Sequence, residues 1–424
     1  MLENISHIAR YNFWTARPDT GVRRERYLHA VRKFRQSALV RVLVGQRRVG
    51  KSYLMRQLIG DIIDDGTPPA HTLYINKEFT DFDFLKDGRD LADFCESYFS
   101  SIPGIQTRYL FIDEIQNIQN WEKAVNSLSQ DYTRNYRIFI TGSNAQLLSG
   151  ELATHLSGRY VSFLVTAFCY DEFLAISSLP AGKASFLKFL QTGGLPELFK
   201  LPDEESRRHY VSAVYDTVIL RDIVERHHIR DVSLLKDLFT FIAANAGSLI
   251  SVNRLIAYFK GQGRKTNYET AAQYIRYLED AFIIHKCERY QIKGKDVLSG
   301  SAKYYLNDLT FKNYLFPGVH LGWGHLMENL VYIELLARGY TVYTGQHQDK
   351  EIDFVASLGE ETRYLQVAWQ LTDERTKARD YAPLLNIRDA HPKLLISADD
   401  IPLPPQEGIP NLLYWDAFAK NGSF

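Results

Sequence analysis

Val40-Arg41-Val42-Leu43-Val44-Gly45-Gln46-Arg47-Arg48-Val49-Gly50-Lys51-Ser52 reads as an apolar strand running into Gly-x-x-x-x-Gly-Lys-Ser, and the helical stretch Tyr53-Leu54-Met55-Arg56-Gln57-Leu58-Ile59 follows it. That order is what a phosphate cradle requires. Successive backbone N–H groups form an anion nest, and the helix aims its positive end at the same phosphates. Gly45 and Gly50 permit the tight path. The cradle runs through Gly45, Gln46, Arg47, Arg48, Val49, Gly50, Lys51, Ser52 and Tyr53. Lys51 is placed to reach the β- and γ-phosphates, and the Ser52 hydroxyl to hold Mg²⁺. The expected ligand is a nucleoside triphosphate, ATP, with Mg²⁺.

Outward from this stretch, residues 39 to about 165 alternate apolar strands with amphipathic helices, the pattern of a parallel α/β sheet. The expected strands are Leu39–Val44, Thr72–Ile75, Arg108–Ile112 and Arg137–Thr141, and the expected helices are Lys51–Ile59, Leu91–Phe99 and Trp121–Asp131. The third strand runs Tyr109-Leu110-Phe111-Ile112 into Asp113-Glu114. Two acids at the carboxyl end of a buried strand fit a metal-binding Asp113 and a water-polarising Glu114. The next strand ends in Gly142-Ser143-Asn144. Ser143 and Asn144 either touch the γ-phosphate or its attacking water, or cap a helix. Arg159, in Leu156-Ser157-Gly158-Arg159-Tyr160, is the preferred charge to stabilise the transferred phosphoryl group, in its own chain or a neighbour's.

Gly45–Ser52, Leu110-Phe111-Ile112-Asp113-Glu114-Ile115-Gln116, Ile140-Thr141-Gly142-Ser143-Asn144 and Leu156-Ser157-Gly158-Arg159-Tyr160 occur in this order. Together they resemble the bacterial and archaeal AAA-type P-loop ATP-binding proteins that carry a C-terminal domain of unknown function. The lead-in Arg24-Glu25-Arg26-Tyr27-Leu28 is similar to that family too, as are Gly193-Gly194-Leu195-Pro196-Glu197 and Ile219-Leu220-Arg221-Asp222-Ile223. The resemblance implies an ATPase centred on Lys51, Ser52, Asp113 and Glu114. It implies a regulatory or defence-associated role more than a metabolic one.

The chain has 424 residues, 45% hydrophobic and 24% charged, with a formal net charge of zero. That length calls for two to three domains. Zero net charge gives no global hint of a nucleic-acid or membrane partner, so any such surface must be local. The three cysteines, Cys95, Cys169 and Cys287, are far apart and lack metal-ligand spacing. A reduced cytoplasmic protein is the plain reading. The N-terminus lacks a signal-peptide core, and no apolar run approaches a membrane span.

Downstream, five segments are expected: a lead-in over 1–38, the ATPase core over 39–167, a helical lid or linker over 168–231, a winged helix-turn-helix over 232–310 and a C-terminal α/β domain over 311–424. In the fourth segment, Ala271, Ile275, Leu278 and Phe282 form one buried helical face. Two strands near Ile283–Tyr290 and Lys303–Leu306 follow, with Gly294 and Gly300 between them. Residues 251–303 hold ten basic and five acidic side chains, which suits contact with duplex DNA through Arg264, Lys265, Gln273 and Arg276. A packed lid or protein-contact role is the competing reading.

The last segment resembles a restriction-endonuclease core that has lost catalytic positions. Glu328 is the helix acid and Asp353 the strand acid. Gln366 replaces the next acid, Ala368 stands where the lysine belongs, and Lys350 is a candidate migrated substitute. The function expected is an ATPase that switches attached winged-helix and nuclease-like modules. An ATP-dependent DNA nuclease and a nucleotide-sensing protein-interaction switch are the alternatives. A homo-oligomer or a protein partner fits either, and no membrane partner is expected.

Overall fold

The computed structural model describes residues 7–148, 156, 158–318, 321–371, 373–420, 422 and 424. The chain divides into two compact units, Met1–Val165 and Thr166–Phe424.

The first unit is built on a five-stranded parallel sheet. Its strands are β1 (Val40–Val44), β2 (Thr72–Asn76), β3 (Arg108–Asp113), β4 (Tyr136–Gly142) and β5 (Tyr160–Leu164), in the spatial order β2-β3-β4-β1-β5. Helices α1 (Glu25–Arg32), α2 (Lys51–Asp64), α3 (Gly88–Ser100) and α4 (Trp121–Ser129) connect or flank them. β1 and β2 are buried along their whole length, which explains why they read as continuous apolar runs. Every pairing is parallel, so all five carboxyl ends lie at one edge. β4 lies between β1 and β3, which brings the ends of the Gly45–Ser52 strand and the Asp113–Glu114 strand to either side of Gly142-Ser143-Asn144.

The second unit opens with α5 (Tyr170–Ser177), α6 (Lys183–Thr192) and α7 (Glu204–Thr217). Their apolar residues Tyr170, Phe173, Phe186 and Phe189 share a buried cluster with Met327, Val331, Tyr414 and Trp415 of the C-terminal region. Next come α8 (Val232–Ala244), β6 (Leu249–Ile250), α9 (Val252–Gly261), α10 (Tyr268–Asp280), β7 (Ile284–Gln291) and β8 (Asp296–Leu306). Gly300 falls inside β8, not between the two strands, so the hairpin turn is shorter than the glycine spacing suggested.

The C-terminal part holds α11 (Leu309–Leu315), α12 (Trp323–Ala337), β9 (Thr341–His347), β10 (Lys350–Leu358), β11 (Glu361–Ala368), α13 (Glu374–Leu385), β12 (Lys393–Ser397), β13 (Asn411–Leu413) and α14 (Tyr414–Phe418). Its strands do not form a separate sheet. β7 pairs in parallel with β9, through Arg289–Gln291 and Thr344–Gln346, giving one eight-stranded sheet in the order β13-β12-β11-β10-β9-β7-β8-β6. α12 covers one face with Phe354, Leu365 and Ile396, and α13 covers the other with Ile352, Tyr364 and Leu395. Among the described residues, no helix is long and apolar enough to cross a membrane. All three cysteines are buried.

Candidate nucleotide site and a buried carboxylate cluster

β1 delivers the loop Gly45–Gly50, and α2 begins at Lys51. Gly50, the residue before the helix, has φ of 96°, a left-handed backbone that a side chain would strain. At Gly45 a Cβ would lie 2.1 Å from the carbonyl oxygen of Val165, so the loop approaches the chain after β5 too closely for any side chain. Arg24 braces the loop from the lead-in. Its buried guanidinium donates to the Val49 carbonyl at 3.0 Å and lies over the Tyr27 ring.

The ammonium of Lys51 donates to the carbonyls of Gly45 (2.9 Å) and Gln46 (3.0 Å). Gln46 and Val49 are fully buried, Arg48 is exposed, and Ser52 and Tyr53 are half-buried. Arg47 is buried and pairs with Glu78 at 2.5 Å, so its charge is engaged inside the unit.

Asp113 ends β3, fully buried, and is surrounded by donors. Tyr74 donates to it at 2.7 Å and Asn76 at 3.4 Å, both from β2. The hydroxyls of Thr141 and Ser52 hydrogen-bond to it as well. Burial, then the negative charge of Glu114, raises the Asp113 carboxyl above its ordinary value despite these bonds. Glu114 has a left-handed backbone with φ of 54°, and its N–H donates to the Thr141 hydroxyl at 2.9 Å. Burial acts to raise its carboxyl, but the charges of Lys51 and Arg47, with hydrogen bonds from Gln116 and Ser143, outweigh that and hold it below the ordinary value. Asn144 is buried beside this group. Its Oδ1 accepts from the Gln146 N–H at 2.7 Å, while its Nδ2 is buried with no hydrogen-bond partner among the described residues.

Lys51, Ser52, Asp113, Glu114, Ser143 and Asn144 are therefore gathered at one edge of the sheet. Arg159 is not among them. It precedes β5, its carbonyl accepts from the Val40 N–H, and it is exposed at the amino ends of the strands. Four residues of extended strand, roughly 13 Å, separate that edge from the phosphate loop. Sequence reasoning missed Tyr74, Asn76 and Thr141 as the donors around Asp113. The signal was present in two polar strand ends beside an apolar strand.

In the second unit, Glu328 of α12 and Asp353 of β10 do come together, with three residues not among the expected members of this site, Lys303, Tyr305 and Glu351. Lys303 of β8 lies 2.8 Å from Glu328, 2.7 Å from Glu351 and 3.9 Å from Asp353. Tyr305 also donates to Glu328, at 2.6 Å. Gln366 faces the Asp353 backbone N–H at 3.4 Å, and Ala368 is buried. Lys350 is exposed at the start of β10, so the lysine that reaches these acids is Lys303, from β8, which precedes the segment 311–424. Burial opposes the Lys303 charge, but Glu328, Asp353 and Glu351 outweigh it and hold the ammonium well above its ordinary value.

The four residues expected to face DNA are not alike. Arg264 is tied internally, to Asp237 at 2.7 Å and to the Ser233 hydroxyl at 2.6 Å. Lys265, Gln273 and Arg276 are exposed, with Gln273 donating to the Tyr277 hydroxyl at 2.6 Å. The net basic surface is thus smaller than the count over residues 251–303 suggested, since Lys303 is also buried.

A family model described as an AAA domain matches residues 37–174, and a model of a domain of unknown function matches residues 183–323. An uncharacterised Haemophilus influenzae protein is 34% identical over 381 residues, covering 89% of this chain and 93% of its own length. An uncharacterised Methanocaldococcus jannaschii protein is 30% identical over 356 residues, covering 80% and 77%. Among solved structures, the Aeropyrum pernix Orc1 protein in complex with DNA aligns at 12% identity and a TM-score of 0.34, over 72% of this chain and 94% of that one. Thermotoga maritima RuvB aligns at 17% identity and a TM-score of 0.31, over 62% and 88%.

Proposed function

Since this chain belongs to one family with the Haemophilus influenzae and Methanocaldococcus jannaschii proteins and carries an AAA domain, we propose that it binds ATP with Mg²⁺ and hydrolyses it. The observation that carries this reading is the convergence of Lys51, Ser52, Asp113 and Glu114 at the carboxyl edge of one sheet, with the Nδ2 of Asn144 buried beside them and unpartnered among the described residues. Ser52 and Asp113, already hydrogen-bonded to each other, are a hydroxyl and carboxylate pair of the kind that holds Mg²⁺. The ion, when bound, neutralises phosphate charge. Lys51 exchanges its bonds to loop carbonyls for phosphate oxygens. Glu114, held ionised by Lys51 and Arg47, accepts a proton from water, and Asn144 supplies the free donor for a γ-phosphate oxygen.

Arg159 enters this proposal only across chains. Its place at the amino edge keeps it from its own nucleotide, so it serves the site of another copy, which makes the active form an oligomer. Residues 232–306 run helix, short strand, helix, helix, strand, strand, which supports a winged helix-turn-helix. Its exposed Lys265, Gln273 and Arg276 suit weak contact with duplex DNA. ATP turnover then switches the arrangement of the second unit in a cytoplasmic setting. Phosphate release by Lys51→Ala and Glu114→Gln variants tests the core claim: wild-type turnover in both would remove these two residues from the mechanism.

A further inference from the structure

The acids Glu328, Glu351 and Asp353 converge from α12 and β10 on one ammonium, and among the described residues no three acids, histidines or cysteines are grouped closely enough to hold a metal ion. The Lys303 Nζ lies 2.7 Å from Glu351 and 2.8 Å from Glu328, charge-assisted hydrogen-bond distances, with Asp353 at 3.9 Å. An ammonium has three donors and no acceptor, so it suits a ring of carboxylates. Its side chain is 4% exposed, so a second cation brought to the same carboxylates would meet a weakly screened repulsion. Further bonds hold the acids in place. Tyr305 donates to the same Glu328 oxygen as Lys303, the other Glu328 oxygen lies 3.9 Å from His325 Nδ1, the Val367 N–H donates to the second Asp353 oxygen at 2.8 Å, and Gln366 is turned toward backbone.

We propose that Lys303 is the resident cation of this cluster, standing where a metal ion would otherwise sit, so that the site is a metal-independent tie and not a divalent-metal nuclease centre. β8 and β10 are separated in the sheet by β7 and β9, so no backbone ladder joins them directly. The ammonium does so instead, fastening the hairpin that follows α10 to α12 and β10. This inference stands apart from the ATPase reading, since none of its residues belongs to the first unit.

The experiment is Tb³⁺ titration of the full chain, with luminescence sensitised by Tyr305 and nearby aromatic rings, in an Asp113→Asn background that silences the nucleotide site. With Lys303 intact, no saturable signal that depends on Glu328 is expected. Lys303→Met leaves the carboxylates without their cation, and its Tb³⁺ affinity should rise on the order of a hundredfold, as expected when a buried charge loses its partner. A further Glu328→Gln change should abolish that gain. Lys303→Arg should keep the charge, the fold and the lack of metal binding. The proposal is overturned if the chain with Lys303 intact binds Tb³⁺ in a Glu328-dependent way. It is equally overturned if that chain cuts DNA in a Mn²⁺-dependent way that Glu328→Gln abolishes, or if folded Lys303→Met binds no Tb³⁺. The arms with Lys303 intact decide the question even where Lys303→Met fails to fold.

Discussion

Lys51 and Glu114, sixty-three positions apart in the chain, lie with Nζ and Oε1 3.8 Å from one another, and both side chains are almost wholly buried. Under the proposed function, the pair joins the phosphate-binding group to the water-activating group. Lys51 is one of the charges that keep Glu114 ionised against the cost of burial, so the base is ready at neutral pH.

Glu114→Gln is therefore expected to retain ATP binding and lose turnover by roughly 10²- to 10⁴-fold, the usual contribution of a general base. Lys51→Ala should lose nucleotide affinity as well. Equilibrium binding of a fluorescent ATP analogue, beside single-turnover phosphate release, separates the two defects. A Glu114→Gln variant with undiminished turnover would make some other group the base.

Thr141 links both acids, its hydroxyl donating to Asp113 and accepting from the Glu114 N–H. Thr141→Val conserves shape and removes both bonds. Leaving buried polar groups unpaired costs about 1–3 kcal/mol, which should appear as a lower urea midpoint for the first unit. Turnover should fall with it and require more Mg²⁺, because Asp113 is then held only by Tyr74, Asn76 and Ser52. Unchanged stability with normal Mg²⁺ dependence would show that Tyr74 and Asn76 suffice.

The sequence shows the first unit so clearly because its chemistry is contiguous with its strands. Gly45–Ser52 and Asp113–Glu114 each lie at the end of an apolar run, and a parallel sheet places all such ends together. Lys303 had no comparable signal. It lies in the continuously buried end of β8, twenty-five residues before Glu328, and it joins the acids only because the β7–β9 pairing merges two strand sets into one sheet. Arg264 misled in the opposite direction. Its partners Asp237 and Ser233 lie on α8, outside the window in which its charge was counted. Local motifs carry their own geometry, whereas long-range pairing decides which charges are spent internally.

Asp308 gives the second unit a titrating core group. Its carboxyl accepts from the Gly194 and Thr310 N–H groups at 2.7 Å each, yet burial raises it from 3.8 to about 6. A raised folded value means stability fully present below pH 3.8 and lost as pH rises through about 6. The stability difference between wild type and Asp308→Asn should thus shrink by up to about 3 kcal/mol from pH 4 to pH 7. Chemical denaturation at stepped pH measures it. A difference that stays flat over this range would show that the hydrogen bonds outweigh burial.

Arg159 lies at the amino edge of the sheet, where its carbonyl joins Val40, and a side chain there cannot span the strand length to its own phosphate loop. Turnover should consequently rise with protein concentration. Arg159→Ala should lose about 10³-fold or more in turnover, the scale of a lost arginine at a phosphoryl transition state, while keeping ATP affinity. Mixing is the sharper measurement. A chain with Arg159→Ala has an intact nucleotide site, and a chain with Glu114→Gln has an intact arginine, so the two inactive variants together should recover turnover at their shared interfaces. If the mixture stays inactive while each variant still assembles with wild type, Arg159 does not serve a neighbouring site.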